Sequence, residues 1–428
     1  MKEKITYAVT ALTCSLSLCL SCNTKHKAGT KETRRSLPVS GGTSGSSAVS
    51  PPEIPSSTPT QAVNVPANVK NDAPVKNDTP VIYASFAPSD ENEDEIHGIF
   101  ISRDQGITWK SKSRSDGLPN TYITAIFALR NNVYIGSQSY YDETSNKLVF
   151  SSLRISRDGG ETWGDKDRAA SFSHSINGIY ATDSEIYLTI ENEGLFVSRD
   201  GGGTFSLIQG GAQMKCIGGA LGNIYVGTEN GLLISKDYGK TFTSTEKMEA
   251  WKSTGCGQSG ICGGFTVDSI NLSGTNVYAG KSASSIADSG IMISGDSGVT
   301  WRKMALPAVE EKTCASAGNC QGGVYSVHSI YSSREKIYAD YSILWPIQGE
   351  GEGSAGSRNF KTASDNGSTW KDVFQDGSDG GTISGYGSIV AHCSKSALRI
   401  SRDEGQSWRK VAEFENSKIE CGIIHVSL

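Results

Sequence analysis

The stretch "SRDGGETW" at 156–163 decides the reading of this chain, because close copies of it recur six times. They are "SRDQGITW" (102–109), "SRDGGGTF" (198–205), "SKDYGKTF" (235–242), "SGDSGVTW" (294–301), "ASDNGSTW" (363–370) and "SRDEGQSW" (401–408). A catalytic residue is needed once, whereas a residue repeated seven times builds something. The repeated acid is Asp104, Asp158, Asp200, Asp237, Asp296, Asp365 and Asp403, spaced by 54, 42, 37, 59, 69 and 38 residues. A period near fifty with variable insertions marks a propeller or solenoid. Within the box, Ser and Asp can accept hydrogen bonds from turn amides. Gly supplies a backbone conformation that other residues resist. The closing ring buries apolar surface, and five of the seven tryptophans serve here: Trp109, Trp163, Trp301, Trp370 and Trp408.

Strand patterns flank each box. "NVYIGS" (132–137), "EIYLTI" (185–190), "NIYVGT" (223–228), "NVYAGK" (276–281) and "KIYADY" (336–341) alternate as strands do. A strand such as "ITAIFAL" precedes each of these, and one such as "GLFVSRD" runs into the box. Each unit is therefore four strands, a to d, with the box at the c–d turn. The first unit opens at "VIYASF" (81–86), a b strand with no a strand before it. The chain ends on "ECGIIHVSL" (420–428), an a strand with no b strand after it. The expectation is an all-β, seven-bladed β-propeller of four-stranded antiparallel blades, closed by strand 422–427, which removes exposed sheet edges.

These boxes resemble the Asp-box (BNR) repeats of sialidases, xyloglucanase-type glycoside hydrolases, sortilin-type receptors and photosystem II assembly factors. The resemblance covers 81–428. It implies a fold more than a function, since the fold hosts enzymes and binders alike. The sialidase pattern implies an early "RIP" segment, which is absent. Arg103, Arg157, Arg199 and Arg402 lie inside boxes, Arg130 and Arg334 fall in a–b turns, and Arg114, Arg168 and Arg358 stand in no recognisable motif. The "RTDVGG"-like segment with the catalytic Asp of the xyloglucanase-type enzymes is absent too, and the basic patch of the photosystem factors has no clear counterpart. No complete catalytic set emerges, and no cofactor or metal is expected.

Upstream of the repeats the texture differs. "MKEK" and a short apolar run lead to "LSC" at 20–22, which resembles a bacterial lipoprotein signal with lipidation on Cys22. Cys19 stands at −3 where Leu is usual, and a plain secretory signal is the alternative. Asn23 after the Cys points to the outer rather than the inner membrane. Residues 1–21 then form the signal peptide and 22–80 a Ser/Thr/Pro-rich tether too poor in large apolar residues to fold. As a flexible coil, 23–80 would reach roughly 40 Å. The expected location is the bacterial cell envelope, lipid-anchored. A formal net charge of −5 gives nucleic-acid binding no global support.

Alternation places a–b and c–d turns on one face and the longer b–c and d–a loops on the other, where function tends to reside. The long loops include 87–98, 138–147, 282–290 and 342–359. Candidate binding residues there are Tyr140, Tyr141, Trp251, Trp345 and Arg358. Two C-x5-C pairs in equivalent loops read as disulfides in an exported protein, Cys256–Cys262 and Cys314–Cys320, with a four-thiolate metal site as the rival. Cys216, Cys393 and Cys421 read as small buried hydrophobes in strands, with at least one thiol left over. The acidic run Asp90, Glu91, Glu93, Asp94, Glu95 reads as solvated rather than calcium-binding. The expectation is a tethered module that binds a protein partner on its loop face. The alternative is a carbohydrate-binding protein or glycoside hydrolase.

Overall fold

The alternating b-strand sequences pair as their pattern requires. The computed structural model describes residues 79–88, 98–119, 122–142, 146–163, 168–211, 213–252, 265–283, 288–307, 324–333, 336–346, 354–364, 367, 369–374, 381–394, 397–411 and 419–428. Seven four-stranded antiparallel blades follow one another. Blade 1 is Ile419–Ser427, Val81–Pro88, Gly98–Ser102 and Lys110–Ser113, in order a to d. Blade 2 is Ile123–Leu129, Asn132–Ser137, Ser151–Ser156 and Arg168–Phe172. Blade 3 is Ile176–Ala181, Ile186–Ile190, Gly194–Ser198 and Ser206–Gln209. Blade 4 is Met214–Ala220, Asn223–Thr228, Gly231–Ser235 and Thr243–Ser244. Blade 5 is Phe265–Ser273, Asn276–Ala283, Gly290–Ser294 and Arg302–Met304. Blade 6 is Val324–Ser333, Lys336–Pro346, Ser354–Ala363 and Trp370–Asp372. Blade 7 is Gly381–Tyr386, Ile389–Ser394, Ala397–Ser401 and Arg409–Lys410.

The C-terminal strand supplies the a strand of blade 1, in register from Val81↔Ser427 to Pro88↔Ile419. The chain thus closes as its two incomplete end units predict. The apolar cores lie between blades rather than within them. Ile82 and Phe86 of blade 1 pack with Ile389, Leu398 and Ile400 of blade 7. Tyr83 and Ile99 of blade 1 pack with Ile126, Val133 and Trp163 of blade 2.

Polar bonds run from blade to blade along the a strands. Thr124 Oγ1 donates to Ile176 O at 2.7 Å and Asn177 Nδ2 to Met214 O at 2.9 Å. Cys216 Sγ donates to Val267 O at 3.5 Å and Ser269 Oγ to Val327 O at 3.2 Å. Ser329 Oγ donates to Ile383 O at 3.4 Å and Thr382 Oγ1 to Gly422 O at 3.2 Å. Every junction from blade 2 round to blade 1 is thus bridged by a side chain of one a strand and a carbonyl of the next. Several of these donors sit at or beside β-bulges, as at Ile123/Ala125, Ile176/Gly178 and Val267/Ser269. A bulge leaves one carbonyl outside the ladder and re-aims the neighbouring side chain.

Two sequence expectations need correction. Cys393 and Cys421 are buried, as expected, but they form a disulfide with Cα atoms 5.5 Å apart. Strand pattern alone cannot reveal this pair, because 28 residues separate cysteines that only ring closure brings together. The bond fastens the closing a strand of blade 1 to the b strand of blade 7. Cys216 carries a thiol, consistent with the leftover count. The second correction concerns 342–359, read as a loop. Pairing continues to Pro346↔Ser354, so blade 6 extends its b and c strands well into that segment. Alternation in "YADYSILW" sustains the strand. Cys256, Cys262, Cys314 and Cys320, the tether with Cys22, and the acidic run at 90–95 lie outside the described residues.

Candidate binding faces

The box face is built first by the box itself. In the six boxes with a described Asp, the leading Ser hydroxyl donates to the Asp and accepts the amide of the Gly that follows. In blade 4 these are Ser235 Oγ to Asp237 Oδ1 at 2.8 Å and Gly239 N to Ser235 Oγ at 2.8 Å. The Asp then accepts the amide and hydroxyl of the Thr four residues on, Thr241 N at 2.9 Å and Thr241 Oγ1 at 2.6 Å. The same set recurs at Asp104, Asp158, Asp200, Asp296 and Asp403. Asp365 lies outside the described residues. With the Thr241 hydroxyl and amide donating to it, Asp237 is held down at about 2, and Ser407 does the same for Asp403. These carboxylates are spent on the turn, which argues against catalysis by them.

The fourth and fifth box positions take up left-handed backbone, as in Gln105 (φ 62) and Gly106 (φ 80). At Gly106 the requirement is double: a Cβ would stand 2.2 Å from Ile400 Cδ1 of blade 7. The Trp163, Trp301 and Trp408 indoles donate to the box carbonyls of Gly160, Gly298 and Gly405 at 3.1, 3.1 and 3.2 Å. Trp109 and Trp370 sit half-buried in the equivalent places. Box amides also bond a–b turn carbonyls, Gly159 N to Asn131 O at 2.7 Å and Glu404 N to Ser388 O at 2.9 Å. Boxes and a–b turns therefore share one face, and the b–c and d–a loops share the opposite one.

On the loop face the b–c connection of blade 2 forms its own hairpin, Tyr140–Asp142 paired with Lys147–Val149. Tyr140, Tyr141, Leu148 and Phe150 are 42%, 55%, 43% and 54% exposed, so large apolar side chains cluster on a projecting element. Tyr141 Oη donates to Asn146 Oδ1. Trp345 and Arg358 fall on the extended b and c strands of blade 6, at positions paired with Ala355 and Ser342.

Trp251, expected among the binding residues, is fully buried. Its 3-10 turn, Glu249–Trp251, folds inward, and the ring meets Trp301 edge-on at 5.1 Å and Phe265 at 6.0 Å. Filling the gap between blades 4 and 5 removes the whole indole from water. Lys281 is buried beneath it, donating to Trp251 O at 2.9 Å with its ammonium 4.2 Å from the Phe265 ring centre. Burial holds this lysine below its usual range. Trp251 thus cannot stack on a ligand.

Sequence reasoning also missed a buried pair between blades. His392 Nε2 meets Asp340 Oδ2 at 2.9 Å, with the imidazole stacked 4.2 Å from Phe360. Both are sealed from solvent, so the pair braces blades 6 and 7 and reaches no substrate. Its signal in the sequence is faint: one polar residue at an apolar phase in each b strand. Among the described residues no three His, Cys, Asp or Glu side chains gather as a metal site, and no helix is long and apolar enough to cross a membrane.

The geometry defines a class: a seven-bladed β-propeller assembled from Asp-box repeats. A sequence profile described as the BNR/Asp-box repeat matches residues 100–111, the first box and its approach strand. No curated protein matches the chain. Among solved structures, the GH74 xyloglucanase from Xanthomonas campestris is similar at 12% identity and TM-score 0.50, covering 80% of this chain and 52% of that one. This chain thus spans about half the xyloglucanase. A structure described as YCF48 bound to D1 peptide is 16% identical with TM-score 0.42, covering 69% of this chain and 84% of that one. YCF48 from Cyanidioschyzon merolae is 13% identical with TM-score 0.44, covering 71% and 88%. At such identities the likeness speaks for fold alone.

Proposed function

We propose that the protein is a lipid-tethered, extracytoplasmic propeller that holds a protein partner on its loop face, in an envelope-assembly role. The observation that carries this is the projecting blade 2 hairpin, with Tyr140, Tyr141, Leu148 and Phe150 exposed together. Aromatic side chains clustered on a rigid support are what protein interfaces use as anchors. The Cys393–Cys421 disulfide supports an oxidising compartment, and the "LSC" segment supports an anchor at Cys22.

The test is a cross-linked pull-down from envelope extract with the full chain and with a Tyr140→Ser/Tyr141→Ser/Phe150→Ser variant. One protein recovered reproducibly by the parent and lost by the variant is the expected result. An identical set of captured proteins from both would sink the loop-face assignment. Exposed tyrosine rings also favour stacking on sugars, the second reading. Retained glycan or released sugar with no protein would move the function there.

A further inference from the structure

The seam between blades 1 and 2 contains a complete ionic clasp. Arg103, the second residue of the blade 1 box, donates to Gly159 O at 2.7 Å and pairs with Glu161 at 3.2 Å. Lys110, the first d-strand residue, pairs with the same carboxylate. Glu161 is the sixth residue of the blade 2 box, and its hydrogen bond from Lys110 holds its carboxyl below the ordinary range.

The closing seam, between blades 7 and 1, repeats this arrangement residue for residue with one omission. Arg402, the second box residue, donates from Nε to Gln105 O at 2.8 Å, matching Arg103 on Gly159. Arg409, the first d-strand residue, matches Lys110. The sixth position of the blade 1 box is Ile107, 61% exposed, where the template has Glu161. Among the seven boxes, only those of blades 1 and 7 carry a cation both at the second position and at the position directly after the box, Arg103 with Lys110 and Arg402 with Arg409. Among the described residues no carboxylate meets Arg402 or Arg409. In the vacated place lies a cavity of about 70 Å3 bordered by Ile107, Ile400 and Val411 and by the cations Arg402, Arg409 and Lys410.

We propose that this closing seam is a carboxylate-binding pocket that takes a glutamate side chain of a partner polypeptide. The Glu161 clasp displays, within the same molecule, the group that two such cations hold. A guanidinium offers paired donors to a planar carboxylate. The apolar wall of Ile107, Ile400 and Val411 suits the two methylenes of a glutamate, and an inorganic oxyanion would leave that wall unused. The pocket lies on the box face, opposite the hairpin, so the molecule carries two separate contact surfaces.

The test uses the full chain and a fluorescently labelled peptide, acetyl-(Gly-Glu)3-amide, at low ionic strength, where exposed charge pairs are least screened. Anisotropy should register binding that Arg409→Gln weakens at least fivefold and that the Gln analogue of the peptide lacks. Ile107→Glu restores the missing carboxylate in cis. It should weaken binding at least fivefold while raising Tm by about 1–2 °C, the scale of one exposed ion pair. Arg103→Gln, at the seam already filled, should leave binding unchanged. Equal binding by the parent, Arg409→Gln and Ile107→Glu would overturn the proposal. So would displacement of the peptide by inorganic phosphate at lower concentration than by glutarate, which would make the pocket a site for tetrahedral anions. Both decisive substitutions are at exposed positions, and a melting curve for each separates lost binding from lost fold.

Discussion

At the residue scale, the same chemistry that builds the turns sets how the protein meets acid. The box carboxylates are ionised acceptors for a hydroxyl and one or two amides, which lowers their affinity for protons. Asp237 and Asp403 drop from 3.8 to about 2. Their contribution is complete above about pH 4, where the unfolded chain is ionised too, and is lost as pH falls toward 2. His425 works in a different window. It is half-buried in the closing strand, with its Nε2 sealed from solvent and its ring 5.4 Å from Phe127, and this burial of the ring lowers it from 6.5 to about 4. Above pH 6.5 both states are neutral there. Between 6.5 and 4 the unfolded chain takes a proton that the folded one refuses, so stability falls with pH by about 3 kcal/mol. Denaturant melts from pH 8 to 2 should therefore show two descents, one on each side of about pH 4. His425→Leu should flatten the upper descent and keep the lower. An upper descent that persists in that variant would mean the proton enters elsewhere.

At the scale of elements, what a strand does to its neighbour depends on side chains that its own pattern does not advertise. Thr124 bridges to blade 3 as a donor only, whereas Thr382 donates to Gly422 O and accepts Ile424 N at 3.1 Å. Thr124→Val should cost about 1 kcal/mol, the net value of one such bond, and Thr382→Val about 2 kcal/mol, because a backbone amide is orphaned as well. Equal losses in urea unfolding would show that the junction bonds are incidental to the packing around them. The existence and order of strands were legible because alternation has a period of two and because the box punctuates every unit. Strand ends were less legible: nothing in "SILWP" distinguishes a widening loop from an extended hairpin until a partner strand in register is found. The inward turn of Trp251 was hidden for a related reason. A Trp in a loop reads as exposed, and only the gap between blades 4 and 5, a property of two distant segments, draws it in. The vacancy at Ile107 could have been read from an alignment of the seven boxes, since the sixth position is acidic in blade 2 and apolar in blade 1. Its meaning depends on which blade faces which.

For the whole molecule, the decisive step is closure. Two incomplete end units announced it, and the structure joins them through a ladder, a disulfide and His425 packed against blade 2. Contacts between a strands run round the complete ring, including those of Ile419–Ser427 with both Ile123–Leu129 and Gly381–Tyr386. A ring of blades has no weak edge while this strand is seated, and two exposed edges once it leaves. The Cys393–Cys421 bond holds the strand to blade 7 rather than to its own blade, so it resists that particular opening. Cross-linking residues 28 apart in sequence stabilises by roughly 3.5 kcal/mol on the chain-entropy account. A Cys393→Ser/Cys421→Ser variant should lose about that much. Its amide exchange should rise first in 419–427 and in the paired strand 81–88, with blades 3 to 5 protected until global unfolding. Exchange that rises evenly over all seven blades would mean that the ring opens as one cooperative unit and that the closing strand is no weaker than the rest.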